Sequence, residues 1–194
     1  TDHLFGTVSG EDAFLDVFVG RFSVTSAREA ETVVQKVMGY DQTSPARWRD
    51  RILYMANFEP VPIFVGPSDS LAALYAEPLG LETFKVYNDE NTLPAPNEDT
   101  REVIRQINEG RLVMNFMGHG SAAIMSSFLR GTFQQQNYNY MVQIVNEDRL
   151  PLVIAMSCLN GLYAEPRLIC LAEEMTNKPD GGAIAYVSAS SLAF

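Results

Sequence analysis

The 194 residues match the usual size of one domain, and 46% of them are hydrophobic, enough to bury a core. With 24 Asp and Glu against 14 Lys and Arg the net charge is -10, which repels phosphate-rich partners and sets nucleic-acid binding aside. No stretch reaches the roughly 18 uninterrupted apolar residues of a membrane span, and TDHLFGTVSG lacks the basic and apolar regions of a signal peptide. The acidity either draws in cationic peptides or only keeps the surface soluble, and charge does not decide between them. The chain opens inside what reads as structured sequence and stops straight after the apolar run GAIAYVSASSLAF, so it reads as an excerpt of a longer protein.

Short apolar runs alternate with helical periodicity, which predicts an α/β fold with a mostly parallel sheet between helices. In chain order, the first strand is expected at Asp16 to Val24 (DVFVGRFSV). A helix follows, with Ser26 and Glu29 as a capping box, apolar Ala30, Val33, Val34, Val37 and Met38 on one face, and Gly39 as its stop. RILYMAN from Arg51 is the next strand; Glu59 to Pro67, with Pro60, Pro62 and Pro67, reads as a loop, and Ser68 to Ala76 as a helix. Then come the strand ETFKVYN from Glu82, the loop NDENTLPAPN, the helix Glu98 to Glu109 stopped by Gly110, and the strand RLVMNFM from Arg111. The remaining expectations are helices at Tyr138 to Val145 and Pro166 to Thr176 and strands PLVIAMS from Pro151 and AIAYVSA from Ala183.

Two of these strands end in unusual sequences, and the carboxyl ends of strands are where open α/β sheets bind ligands. VMNF runs into Met117-Gly118-His119-Gly120-Ser121, and VIAM runs into Ser157-Cys158-Leu159-Asn160-Gly161. If the strands are neighbours, His119 and Cys158 share one edge. An imidazole beside a thiol takes its proton to make a nucleophile and later protonates the leaving amine. Glycines beside the histidine let backbone approach a substrate, and the Gly120 and Cys158 amides are candidate oxyanion donors. The competing reading makes Cys158 a small buried hydrophobe and His119 a residue that closes a turn. His3, near a terminus, and Cys170, on an apolar helical face, are assigned structural roles.

Other chemistries fit less well. Gly118, Gly120 and Ala123 spell G-x-G-x-x-A after a strand, but a dinucleotide site expects an acid about 20 residues on, and Gly120 to Asn146 contains no Asp or Glu. Two histidines and two cysteines at no recognisable spacing do not build a zinc site, and no metal ligands are assigned. The serine elbow G-x-S-x-G is absent around Ser121 and Ser157.

At the two motifs the sequence resembles the gingipain family of cysteine peptidases, peptidase family C25: GHGS is similar to the family's histidine motif and SCLNGLY to its cysteine motif. VFVGRFSVTSAREAETVVQKVMGY resembles the segment that opens these domains, and EEMTNKPDGGAIAYVSAS the stretch after the cysteine, so the likeness covers most of residues 1–194. The resemblance implies a three-layer α/β/α sandwich of caspase-like topology, with Cys158 as nucleophile, His119 as general base and acid, Gly120 as oxyanion donor and Glu59 as the glutamate supporting the histidine. It makes Asp69, in GPSDS, similar to the aspartate at the base of an arginine pocket, while Ser68 and Asp69 also suit a helix N-cap. It implies cysteine endopeptidase activity through a thioester, possible cleavage after Arg or Lys, a peptide or protein substrate, no catalytic cofactor, structural calcium with ligands that match no positions here, and a secreted or cell-surface location.

The chain also departs from the family. The tryptophan that often follows GHGS is replaced by AAIMSSF, and the only Trp stands at position 48. Two rivals share the resemblance: a sortase-like transpeptidase, which passes through the same acyl-enzyme, and a caspase-like binding or scaffold domain without turnover. Oligomeric state is not encoded in any pattern found here.

Overall fold

The computed structural model describes residues 2–42, 46–88, 97–131 and 140–193, without the side chain of His3. Five parallel strands form one sheet: β1 (Arg51–Ala56), β2 (Glu82–Tyr87), β3 (Val113–Met117), β7 (Leu152–Met156) and β8 (Ala185–Ser188). They lie in the order β2-β1-β3-β7-β8. Between β3 and β7 a small antiparallel meander adds β4 (Gly120–Ser121), β5 (Ile124–Met125) and β6 (Leu129–Arg130). The helices are α1 (Ala27–Gln42), α2 (Val65–Leu71), α3 (Glu98–Glu109) and α4 (Leu171–Asn177).

The alternation of side chains along each strand separates two apolar layers. On one face Leu53, Met55, Met114, Phe116, Val153 and Ala155 pack with Val103, Ile104 and Ile107 of α3 and Leu171 and Met175 of α4. On the other, Ile52 and Tyr54 pack with Ala72 and Ala76, in the π-helical turn Ala72–Ala76 that continues α2. This second layer covers the β2–β1 side; towards β7 and β8 the same face leaves Met156 and Val187 exposed. The α/β sandwich with a parallel sheet is therefore as expected, with one helical layer only partly built from the described residues.

The strand order gives the sheet a switch point. From β1 the chain moves outward to β2, then returns across β1 to β3 and continues through β7 to β8. The connections after β1 and β3 thus leave in opposite directions, the arrangement that in open α/β sheets places ligand sites at the carboxyl ends of the strands. The register sets those ends level, with Ala56 opposite Met117 and Met117 opposite Met156.

Several expected elements differ. Asp16 to Val24 is not a strand: among the described residues no strand lies beside it, and Phe18 is fully exposed despite the β-branched run. Polar contacts fix this segment instead, locally where the Asp16 carboxylate accepts from the Val8 and Ser9 amides and at long range where the Ser23 hydroxyl donates to Glu173. α1 runs through Gly39 to Gln42, so Gly39 does not stop it. Its start is as read: Ser26 Oγ accepts from the Glu29 amide, and the Glu29 carboxylate accepts from the Thr25 amide at 2.6 Å.

α2 begins at Val65, which puts Pro67 in its first turn, where a missing N–H costs nothing, and Ser68 and Asp69 inside the helix rather than at its N-cap. Of Tyr138 to Val145, Tyr138 and Asn139 lie outside the described residues, as does 89–96 of the loop NDENTLPAPN; the rest forms only a 3-10 turn, Met141–Gln143. The Pro166 to Thr176 helix shortens to Leu171–Asn177 because the Cys170 amide donates to the Glu173 carboxylate and the Leu171 amide to Ala122, starting the helix there. Cys170 is accordingly at a helix start rather than on a helical face, though buried as expected.

α3 matches its expected bounds, capped by Asn97, whose side chain accepts from the Thr100 amide at 2.8 Å. Asn97→Ala removes that acceptor and is expected to lower stability by about 1 kcal/mol. Urea unfolding checks this: the midpoint should fall with the slope unchanged.

Candidate active site

Glu59 follows β1, His119 follows β3 and Cys158 follows β7, so three adjacent level strands deliver them to one edge of the sheet. The ladder continues past the last paired residues: the Asn57 amide donates to Met117 O at 3.0 Å and the Gly118 amide to Met156 O at 3.3 Å. His119 Nε2 lies 3.0 Å from Glu59 Oε1. Its ring is otherwise open, the side chain being 71% exposed, and it meets the Phe64 ring edge-on at a centroid distance of 5.3 Å.

The histidine backbone is fixed by Asn57. Its Oδ1 accepts from the His119 amide at 2.7 Å, and its Nδ2 donates to Ser126 Oγ, a residue held at positive φ of 48°. Asn57 is 6% exposed and lies so close to Gly118 that a Cβ there would overlap its Oδ1. Glycine at 118 is therefore a requirement of this contact, not of a turn. Gly120 meets a similar demand from the other side, since a Cβ would stand 3.0 Å from Ser157 Oγ and 3.1 Å from the Cys158 carbonyl. The histidine hairpin and the cysteine loop touch at this glycine.

Cys158 is half-buried, and its Sγ lies 3.3 Å from Ala193 O. The loop that holds it is tightly specified. Leu159 adopts φ of 63°, a left-handed conformation costing a branched side chain roughly 1–2 kcal/mol. The Leu159 and Gly161 amides donate to Ser191 and Ala189, and buried Ser157 donates to Asn160. Cys170 is fully buried, and desolvation pushes its thiol up to about 12.

Asp69 stands apart from this group. Its carboxylate pairs with Lys85 at 2.6 Å and accepts from Tyr87 at 3.0 Å, both on edge strand β2, and the Lys85 ammonium holds it below the usual carboxylate range. Among the described residues no group of three His, Cys, Asp or Glu side chains converges as a metal ion requires. Nor is any helix among them long and apolar enough to cross a membrane.

Sequence reasoning missed Asn57, Phe64 and Asn160. Asn57 and Phe64 carry no motif; Asn160 stood inside SCLNGLY, but its partners lie in Ser121 and Ile124, 39 and 36 residues away.

A model of peptidase family C25 matches residues 1–194. The chain belongs to peptidase family C25. It is 26% identical over 204 aligned positions to gingipain R2 and to gingipain R1 of Porphyromonas gingivalis, covering 98% of this chain but 26% and 19% of those proteins. The chain thus spans about a quarter of these curated relatives or less. The structure of the Arg-specific cysteine proteinase gingipain R superimposes with a TM-score of 0.81 at 24% identity over all of this chain and 44% of that one. The complex of P. gingivalis RgpB pro- and mature domains gives the same score over 98% of this chain and 45% of that one, which establishes the C25 fold here.

The two thiols are expected to separate in a single labelling reaction. Iodoacetamide at pH 8 should modify Cys158 and leave Cys170 unlabelled, because Cys170 is both covered and protonated. Peptide mass spectrometry of the digested protein reads the two sites directly.

Proposed function

We propose that this C25 chain is a cysteine endopeptidase in which Cys158 attacks the scissile carbonyl and His119 moves the proton. The observation that carries the reading is the Glu59–His119 contact of 3.0 Å at the sheet edge where the cysteine loop packs against Gly120. Glu59 accepting from Nε2–H selects the tautomer whose Nδ1 holds the lone pair, so Nδ1 takes the thiol proton. Glu59 then stabilises the imidazolium.

The thiolate adds to the carbonyl carbon, and the Gly120 and Cys158 amides are the candidate donors to the oxyanion, each worth about 3 kcal/mol of barrier. Collapse of the tetrahedral adduct expels the amine, which takes the proton from His119, and leaves a thioester on Cys158. Water, deprotonated by the same imidazole, hydrolyses it and restores the thiol. No cofactor enters this sequence. The substrate is a peptide or protein, and gingipain relatives point to action outside the cell.

A basic side chain before the cleaved bond is the proposed preference, with Asp69 as its carboxylate partner. A guanidinium would make a bidentate pair there and would have to displace Lys85.

Three measurements test this reading. Cys158→Ala should lower kcat for a fluorogenic peptide by at least about 10⁴-fold, and loss of covalent labelling by an arginine acyloxymethyl ketone should accompany it. A wild-type protein unlabelled across several side chains would point to a scaffold without turnover. Asp69→Ala should weaken cleavage after arginine far more than after neutral residues; equal losses would take Asp69 out of the pocket. With an added amine, mass spectrometry should show hydrolysed peptide, whereas aminolysed product would identify a transpeptidase.

A further inference from the structure

We propose that Asn160 is a positioning residue that fixes the Cys158 loop against the hairpin carrying His119. The proposal rests on the Cys158–His119 reading and adds a group with no part in bond making. Asn160 is fully buried. Its Nδ2 donates to Ser121 O at 2.5 Å and Ile124 O at 3.0 Å, the two strands of the β4–β5 hairpin that begins one residue after His119. Its Oδ1 accepts from Ser157 Oγ at 2.7 Å, the residue immediately before Cys158. Both amide hydrogens and the amide oxygen are thus committed, and the two facing carbonyls leave no choice of which end is nitrogen.

The backbone around it is tied to the same hairpin. The Asn160 carbonyl accepts from the Ala172 amide at 3.1 Å, and the neighbouring Leu171 amide donates to Ala122 O, in the hairpin turn, at 2.7 Å. Asn160 therefore joins three pieces: through its side chain the residue before the nucleophile and the hairpin after the histidine, and through its backbone carbonyl the start of α4. Between the two anchored residues, Ser157 and Asn160, stand only Cys158 and the left-handed Leu159. Releasing either anchor frees the turn to relax away from positive φ, and the thiol moves with it. A displacement of about 1 Å at a reacting atom costs roughly 10²-fold in rate.

The same strut cannot be built from a carboxylate, which would set negative charge against two carbonyl oxygens, nor from an apolar residue, which would leave three buried polar groups unpaired.

The test is a double-mutant cycle on the full chain, reading the rate of Cys158 alkylation by iodoacetamide at pH 7 together with kcat and KM. His119→Ala should slow alkylation by about tenfold or more in the otherwise wild-type protein. In the Asn160→Ala background the same change should matter less than about twofold, and kcat should fall about 10²-fold with KM nearly unchanged. Circular dichroism and thermal melting establish that each variant is folded. Because Asn160 is fully buried, Ser157→Ala, which removes a single hydrogen bond, is carried through the same cycle and decides the matter if Asn160→Ala does not fold. Its coupling to His119 should shrink in the same direction.

An undiminished His119 effect in the folded Asn160→Ala or Ser157→Ala protein overturns the proposal. A His119→Ala change without effect on the wild-type chain is a different result, and overturns the dyad reading itself.

Discussion

The level carboxyl ends of β1, β3 and β7 are the constraint from which the site follows. A parallel ladder fixes the offset between neighbouring strands, and here Ala56, Met117 and Met156 stand abreast. Whatever follows each strand must emerge side by side. Glu59, His119 and Cys158 follow the carboxyl ends of three adjacent strands because three separate loops start from one line, at the switch point of the β2-β1-β3 order.

Level strands bring loops close but do not aim side chains. That task falls to amides and glycines. Asn57 holds the His119 backbone, and Asn160 holds both sides of the contact between hairpin and cysteine loop. Gly118 and Gly120 are the spaces these contacts need, since a methyl group at either would press against Asn57, Ser157 or the Cys158 carbonyl. Buried hydrogen bonds of this kind favour one arrangement, because alternatives leave desolvated groups unpaired. The strained φ of Leu159 persists within that network.

The two free thiols show how environment separates identical chemistry. Cys170 stands fully buried at the start of α4, where desolvation disfavours its thiolate; Cys158 stands half-buried in the loop that follows β7. Asp69 illustrates a related point. Its carboxylate already has a cation, Lys85, and a hydroxyl, Tyr87, so any incoming basic group competes with a partner the fold supplies.

The sequence by itself determined the five paired strands, α3 with its closing glycine, and the two loop motifs at the sheet edge, because short apolar runs, helical periodicity and a glycine-flanked histidine are local signals. It misplaced what depends on neighbours. The run Asp16 to Val24 has strand propensity without a strand to pair with, Pro67 is harmless in a first turn, and Leu171 starts a helix where Ala122 can accept its amide. Only the tertiary structure decided the strand order and the roles of Asn57 and Asn160, while the contact between Glu59 and His119 was implied by the family resemblance and not by any spacing. Those rest on hydrogen bonds between residues dozens of positions apart, and spacing along a chain carries no record of which distant carbonyl a side chain will meet.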